Sequence, residues 1–198
     1  MSIRPSLSSF NLAWIFTGIT LTGLALSITL TTDPRWSHWH LSRLGEGGSL
    51  AASIFNFSLI IAAMILTWLG VKVANEIRDV YPSAGTVILR SLLLFIAFCW
   101  VGVATFPFDK SPIIHNIFGY AQFFTVGYAM VGLKWLCPHF SERTYYVGYG
   151  AALLTGLLMA LFHLTQFTSL LVVELIGQFF VYAWILSMTA DHNGYLQK

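Results

Sequence analysis

Six runs of about twenty mostly apolar residues dominate the chain and constrain its fold more than any other feature. A helix of roughly 20 apolar residues crosses the hydrocarbon core of a bilayer, so each run predicts a membrane span. The runs cover residues 10–30, 50–71, 86–105, 113–136, 145–164 and 169–190. Little sequence lies between them. We therefore predict an all-α, polytopic membrane bundle of six transmembrane helices that forms a single domain over residues 1–198.

The low content of charged residues supports this class of fold. Charged residues make up 9% of the sequence, whereas soluble domains carry about 25%. Open sheet edges cannot face lipid, and the sequence lacks the strict alternation of a membrane barrel, which leaves a helical bundle. The net charge of +2 and the absence of a basic run in the sequence argue against nucleic acid as a partner.

The first apolar run has one feature of a signal peptide, because Arg4 supplies a basic flank. Its apolar stretch is longer than the roughly 7–15 residues of a signal peptide, and no clear small-x-small cleavage site follows it. We expect this run to be retained as the first helix.

Lysine and arginine are distributed unequally between the two sides of the predicted bundle. One side carries Arg4, Lys72, Arg78, Arg90, Lys134, Arg143 and Lys198, and the other carries Arg35, Arg43 and Lys110. Short loops rich in Lys and Arg stay in the cytoplasm. We therefore expect both termini in the cytoplasm and the protein in the plasma membrane. Membrane lipids are the expected partners, and another membrane protein or a second copy of the chain is a further candidate.

Several polar side chains within the apolar runs are predicted to share one chamber at the outer ends of the helices. A carboxylate in the hydrocarbon region costs roughly 2.5–3.5 kcal/mol, so Glu174 is expected to face protein, with His163 as its nearest partner. A period of about 3.6 residues per turn places Gln178 on the face of Glu174, and Gln122 on the face of His115. The predicted floor is His163, Glu174, Gln178 and Gln122, and the predicted rim is Asp109, His115 and the first outer loop.

Each of these side chains also has a purely structural explanation. His163 lies among small residues and is compatible with a helix-packing hydrogen bond. Glu174 is compatible with a structural buried acid, and His115 with a helix cap. His38 and His40 lie beside tryptophans at the expected headgroup level. The functional interpretation is favoured because nearly all of these residues lie on the same side of the predicted membrane.

Two outer segments carry a recognisable pair of motifs. The first is HLSRLGEGGSLAASIFNFSLIIAAMIL, and the second is FPFDKSPIIHNIFGYAQF. Their motif positions are Ser42, Leu44, Gly45, Phe55, Asn56, Phe106, Pro107, Asp109 and His115. Together they resemble a large prokaryotic family of six-helix membrane proteins catalogued only as a domain of unknown function. The resemblance implies the fold and an outward-facing motif pair, but no reaction. A fainter similarity is to the eukaryotic damage-regulated autophagy modulator group.

The first functional hypothesis is a membrane protein that holds a lipid headgroup, a small ligand or a partner protein in the outer chamber. Arg43 is a candidate to pair with an anionic group, because guanidinium binds such groups in a bidentate way. The candidate ligand-binding residues are Arg43, His38, His40, Asn56, Gln122 and Gln178.

The alternative hypothesis is a hydrolase or transferase that acts on a lipid-linked substrate at the outer leaflet. The candidate catalytic residues are His115, His163, Glu174 and Asp109. His115, His163 and Glu174 are also candidate metal ligands, with zinc as the candidate cofactor, although the sequence has no HExxH motif. Ser42 is available as a nucleophile without a recognised elbow motif. A haem held by His115 and His163, or a transporter, is less favoured, because only one plausible histidine pair exists and no discontinuous helix is visible.

Overall fold

The computed structural model describes residues 7–80, 83–165 and 169–196, and these residues form helices and short connections without a strand. The long helices are α1 (Ser9–Leu30), α2 (Leu50–Val80), α3 (Ala84–Thr105), α4 (Pro112–Leu136), α5 (Glu142–Thr165) and α6 (Leu170–Leu196). Two short 3₁₀ helices, Pro34–His38 and Leu41–Gly45, lie between α1 and α2. Arg4 and Lys198, two of the basic residues behind the predicted orientation, lie outside the described residues.

Serine and proline mark the starts of several helices. The Ser8 hydroxyl accepts a hydrogen bond from Asn11 N at 3.1 Å at the start of α1, and Ser83 accepts one from Thr86 N at 3.4 Å at the start of α3. Both serines satisfy backbone donors that the first helical turn leaves unpaired. Pro112 begins α4, where its fixed φ suits the helix and its missing N–H is no loss.

The second helix is longer than its apolar run predicts. The run ends at residue 71, but α2 continues to Val80. Val73 and Ile77, four residues apart, are both buried, so the core-facing stripe of the helix continues through the charged segment. Lys72 Nζ lies 2.7 Å from Glu76 Oε1 on the same helix, a spacing that supports helical structure. The end of the apolar run at residue 71 is therefore not the end of the helix.

Five helices of the described chain are long and apolar enough to cross a membrane, namely α1, α2, α3, α5 and α6. α4 has 25 residues, which is a sufficient length, but it does not meet the same hydropathy criterion. His115, Asn116 and Gln122 lower its mean hydropathy. The helical, multi-pass character of the protein is thus established for these five helices.

The bundle closes because the first and last helices pack against each other and share aromatic contacts with α3. The ring of Phe16 on α1 lies 5.3 Å from that of Trp100 on α3, and 5.8 Å from that of Tyr182 on α6, measured between centroids. Aromatic pairs at such distances contribute about 0.5–1.5 kcal/mol beyond burial. All three side chains are buried, so this cluster joins α1, α3 and α6 at the centre of the bundle.

One end of the bundle, here called the terminal end, gathers the start of α1 and the end of α6. Ser9 Oγ donates to Glu76 Oε2 at 2.5 Å, and His192 Nε2 lies 3.2 Å from the same oxygen. Ser141, which precedes α5, donates its backbone N–H to Asp191 Oδ2 at 2.5 Å. The first and last described helices therefore begin and end on the same side of the bundle.

The opposite end, here called the loop end, gathers the two 3₁₀ helices, the connection between α3 and α4, and the start of α6. Leu171 N at the start of α6 donates to Trp39 O at 3.1 Å. Gly47 N donates to Asp109 Oδ2 at 3.2 Å. These contacts hold both outer segments of the motif pair over one end of the helices.

Candidate functional site

A cavity of about 500 Å³ lies beneath the loop between α1 and α2, which contains the two 3₁₀ helices. The cavity is lined by residues of the second 3₁₀ helix and of α2 to α6. Its size falls within the roughly 300–1,000 Å³ of small-molecule pockets. Its apolar lining includes Phe55, Leu59, Trp100, Phe123, Val126, Met130, Met159, Val173 and Val181. Its polar lining includes His40, Ser42, His115, Gln122, Glu174 and Gln178. Five of these six are predicted site residues, and the sixth, Ser42, is the candidate nucleophile of the alternative hypothesis.

A chain of hydrogen bonds links the two motifs at the loop end of this cavity. His115 Nδ1 lies 2.9 Å from Phe106 O, and His115 Nε2 lies 3.1 Å from Ser42 Oγ. Ser42 Oγ lies 3.0 Å from His40 Nδ1. Because a carbonyl only accepts, Nδ1 of His115 carries the proton, and Nε2 of the neutral ring accepts from the Ser42 hydroxyl. The serine oxygen in turn accepts from His40 Nδ1–H.

His40 is held in its neutral form at pH 7. Burial, together with the nearby His115 and Arg43, lowers its pKa from 6.5 to about 4. Its second ring nitrogen, Nε2, faces Glu46 Oε1 at 3.8 Å, which is beyond hydrogen-bond distance. Burial also raises the pKa of Glu46, although Arg43 opposes the shift. The neutral ring is therefore available as the donor to Ser42 that the hydrogen-bond chain requires.

Gly45 and Asn56, one from each half of the first motif, fix the loop on α2. Asn56 Nδ2 donates to Gly45 O at 2.9 Å. A Cβ added to Gly45 would lie 2.5 Å from Asn56 Oδ1, a distance at which some atom must move. Leu44 is 2% exposed and anchors the same turn. The Ser-x-Leu-Gly and Phe-Asn elements are thus two sides of one close contact, and Asn56 does not line the cavity.

Arg43 is already engaged by groups of its own loop. Its Nε lies 3.3 Å from Asp33 Oδ2, and its Nη1 lies 3.3 Å from Glu46 Oε2. Its guanidinium carbon lies 4.7 Å above the ring of Trp39. These contacts organise the loop, so a role of Arg43 in binding an anionic headgroup stays a prediction that the geometry does not favour. His38 is exposed and lies away from the cavity lining.

The predicted partnership of His163 and Glu174 is wrong. Glu174 Oε2 accepts a short hydrogen bond from Leu41 N, a backbone donor that no side-chain pattern reveals. His163 is exposed on α5, with its ring 6.3 Å from that of Tyr120 and 5.0 Å from that of Phe162. No hydrogen bond or ion pair joins the two side chains in the described residues. The docked loop supplies the partner of Glu174 instead of α5.

The predicted position of Asp109 on the rim of the chamber is also wrong. Its carboxylate accepts from Gly47 N and lies outside the cavity lining. Asp109 therefore belongs to the contact between the two outer segments. The predicted rim of the chamber is formed by His40, Ser42 and His115 without it.

The candidate metal ligands do not converge. Within residues 7–80, 83–165 and 169–196, no group of three His, Cys, Asp or Glu side chains is placed to hold a metal ion. Both ring nitrogens of His115 are hydrogen-bonded within the loop end. The same bonds make His115 a poor haem ligand, and its proposed partner His163 lies outside the cavity lining.

Two buried donors in the cavity wall make no hydrogen bond of ordinary geometry with the described residues, although Gln178 interacts with the hydroxyl of Tyr182. They are Gln178 Nε2 on α6 and Trp100 Nε1 on α3. A buried donor without a partner costs about 1–3 kcal/mol. Gln178 is a predicted site residue, whereas Trp100 is not, because its apolar surroundings on α3 give no sequence signal of an unpaired donor.

Comparisons with curated proteins and with solved structures find no match, so the fainter similarity to the damage-regulated autophagy modulator group is unconfirmed. A family model described as protein of unknown function (DUF998) matches residues 15–191. This range contains both motifs, the whole cavity lining and all but the ends of the helical bundle. The resemblance to an uncharacterised membrane family is therefore confirmed, and the chain belongs to the DUF998 family.

Proposed function

We propose that this membrane protein binds one amphipathic lipid in the cavity, with the apolar chain between the helices and the oxygen-bearing head near Ser42 and His115. The observation that carries this proposal is the composition of the cavity wall. It is largely apolar, yet it contains two buried donors, Gln178 Nε2 and Trp100 Nε1, that make no hydrogen bond of ordinary geometry with the described residues. A purely apolar ligand would leave these donors unpaired, and a strongly polar one would not match the rest of the wall.

The cavity has a route to the membrane side of the bundle. Phe124 and Tyr128 on α4 line it and are also 68% and 59% exposed. Gly156 on α5 lines the facing wall, and a Cβ placed there would meet no atom within 4 Å. Only 11% of the most apolar segment of α5 is buried inside the bundle, against 44% of the corresponding segment of α3. These features support entry of a lipid between α4 and α5.

We also propose that α4 is a sixth span within a single domain. Its 25 residues extend about 37 Å, more than the roughly 30 Å of a hydrocarbon core. It runs from His115 at the loop end to Cys137 near the terminal end. An even number of crossings agrees with the common location of Ser9 and His192.

The orientation in the membrane follows from charge. The terminal end carries Lys72, Arg78, Lys134 and Arg143, which favour the cytoplasm. The proposed arrangement therefore has both termini in the cytoplasm, the loop end outside and the plasma membrane as its location. A partner membrane protein or a second copy is compatible with this arrangement, but no contact argues for one.

A metal-dependent lipid enzyme is the weaker alternative. Its candidate ligands His115, His163 and Glu174 lie in three separate environments, and no observation on the described residues favours it.

Photo-crosslinking tests lipid binding in the cavity. The full chain, reconstituted in vesicles that contain a phospholipid with a diazirine in its acyl chain, is irradiated and the crosslinked residues are mapped. We expect crosslinks on wall residues such as Phe123 and Met159. Gly156→Leu adds an apolar side chain at the cavity wall, at a position where a Cβ meets no atom within 4 Å, and should reduce the crosslinks, while Gly150→Leu, on the same helix outside the cavity, should not. Crosslinks confined to the outer faces of the helices, and equal in both variants, would overturn the proposal.

A further inference from the structure

Ser42 and His115 have the mutual geometry of a nucleophile and its base. The 3.1 Å between Ser42 Oγ and His115 Nε2 lies within the roughly 2.6–3.2 Å over which a base accepts a proton. The other nitrogen of His115 donates to Phe106 O at 2.9 Å. This third group fixes the ring and the tautomer, as the orienting member of a catalytic triad does.

His40, the second histidine that is hydrogen-bonded to Ser42, leaves the serine oxygen able to react. Ser42 Oγ has two lone pairs, and one of them accepts from His40 Nδ1 at 3.0 Å. The hydroxyl proton points to His115, so the other lone pair remains for attack on a carbon in the cavity that Ser42 lines.

We propose that Ser42 is a nucleophile and His115 its general base, in a site that transfers the acyl group of a lipid ester. The inference rests on the proposed function, because it requires the cavity to present an ester near its polar end. A lipid ester also fits the wall, because its acyl chain matches the largely apolar lining of the cavity.

The proposed reaction has two balanced steps. Ser42 Oγ forms a bond to the carbonyl carbon while its proton moves to His115 Nε2. The bond from that carbon to the alcohol oxygen then breaks, and the departing alcohol takes the proton from His115. In the second step, water or another alcohol gives its proton to His115 and attacks the acyl-serine, and the proton returns to Ser42 as the acyl bond breaks.

A structural role for the same hydrogen bonds is the competing explanation, because they also fasten the loop to α4. The two explanations differ in chemical reactivity. A structural serine donates a hydrogen bond but does not form a covalent bond, whereas a nucleophile with a general base attacks an electrophilic phosphorus. Ser37 provides a matched serine in the same loop, since it is exposed and its hydroxyl donates only to Pro34 O at 2.9 Å.

Labelling with an alkyl fluorophosphonate tests the proposal on the full chain in lipid nanodiscs. Ser42 Oγ would bond to phosphorus with loss of fluoride, and mass spectrometry would locate the adduct. We expect the adduct on Ser42, its loss in Ser42→Ala and its retention in Ser37→Ala. His115→Gln keeps an amide able to hydrogen-bond on both sides but cannot take a proton, so labelling should slow by at least about 100-fold. Thermal unfolding of each variant verifies that it is folded.

The outcomes separate this proposal from lipid binding. No adduct on Ser42 in wild-type protein, with cavity crosslinks to the photoactivatable lipid intact, would overturn the nucleophile and leave the binding function. Loss of both signals would overturn both proposals. An adduct on Ser42 without cavity crosslinks would support Ser42 as a nucleophile, but it would overturn both the binding proposal and the lipid ester as the substrate. Unchanged labelling in folded His115→Gln would overturn the assignment of His115 as the base.

Discussion

At the scale of single residues, the loop end depends on hydrogen bonds whose direction is fixed. The carbonyl of Phe106 sets the tautomer of His115, which makes Ser42 the donor to that ring and leaves His40 as the donor to Ser42. Protonation of His115 would remove the acceptor that Ser42 uses. The arrangement therefore requires His115 to be neutral, and it is sensitive to acid.

The docking of the outer loop should weaken as pH falls. Burial and the nearby His115 and Arg43 lower the pKa of His40 from 6.5 to about 4. Between these values the unfolded loop binds the proton and the folded loop does not, so stability is lost progressively from about pH 6.5 down to about pH 4. Ser42, His115, Arg43 and Glu46 are the polar and charged groups around this ring. Hydrogen exchange of the loop at pH 7.5 and pH 5 measures the effect.

A His40→Gln variant is the control for this pH effect. Burial raises the pKa of Glu46, so its folded state holds a proton more readily than its unfolded state. Glu46 therefore stabilises the loop as pH falls, which is opposite in sign to the effect of His40. The change in hydrogen exchange between pH 7.5 and pH 5 in the variant, subtracted from the change in the wild type, gives the part due to His40. Equal acceleration of exchange at pH 5 in both proteins would contradict the assignment to His40.

Replacement of Gly45 by alanine should loosen the contact between the two halves of the first motif. The new Cβ would lie 2.5 Å from Asn56 Oδ1 and 3.1 Å from Phe55 Cδ1, so the loop or the amide must move. Overpacking of this kind costs about 1–3 kcal/mol. Gly18→Ala is a control, because a Cβ on Gly18 meets nothing within 4 Å. The melting temperature in detergent should fall for Gly45→Ala and not for Gly18→Ala. Equal melting temperatures of the two variants would contradict the tight contact.

The sequence predicted the location of several polar residues better than it predicted their partners. His115, Gln122, Glu174 and Gln178 line the cavity, as their helical spacing predicts, and His40 of the first outer loop lines it with them. Their partners come from distant segments or from the backbone. Ser42 and His115 are 73 positions apart, and Glu174 pairs with the backbone of Leu41. Neither contact follows from periodicity, which is why His163 was wrongly placed beside Glu174.

At the scale of helices, α2 links the two ends of the bundle. Its start carries Asn56, which holds the outer loop, and its extension carries Glu76, which joins Ser9 of α1 and His192 of α6. The starts and ends of most helices agree with the apolar runs within a few residues. The extension of α2 does not, because Val73 and Ile77 are buried and continue the core-facing stripe of the helix through a charged segment.

Replacement of Glu76 by alanine should destabilise the terminal end. Glu76 accepts from Ser9, pairs with Lys72 and lies 3.2 Å from the buried His192. Its loss leaves partly buried groups without their partner, which costs about 1–3 kcal/mol. Thermal unfolding in detergent measures the change.

The matched control is Glu142→Ala. Glu142 also pairs with a lysine, Lys134 at 2.9 Å, but its side chain is 60% exposed, and exposed pairs contribute about 0–1 kcal/mol. An equal or larger loss of stability in Glu142→Ala would contradict the structural role assigned to Glu76.

At the scale of the whole molecule, the proposed six crossings place the loop end outside and the terminal end in the cytoplasm. The apolar runs predicted the number of helices, since hydrophobic length is a strong signal of a span. They did not predict the cavity, because its walls combine residues of α2 to α6, and the packing of those helices is not encoded in the hydropathy of any one run.

Cysteine accessibility on intact cells tests the orientation. Ser37→Cys introduces a thiol on an exposed site at the loop end, and Arg143→Cys on an exposed site at the terminal end. A membrane-impermeant maleimide should label the first and not the second. Cys99 and Cys137 are buried and should stay unlabelled in folded wild-type protein. Labelling of Arg143→Cys alone would reverse the orientation, and labelling of both would contradict the location of the two sites on opposite sides.

The central claim is that the cavity holds one lipid, and native mass spectrometry of the purified chain tests it most directly. The wild-type protein, released gently from detergent, should retain one lipid mass per chain. Gly156→Leu, which adds an apolar side chain to the cavity wall, should retain less of that mass, while Gly150→Leu should retain it in full. A wild-type chain without a retained lipid, or a lipid retained equally by Gly156→Leu, would contradict the claim.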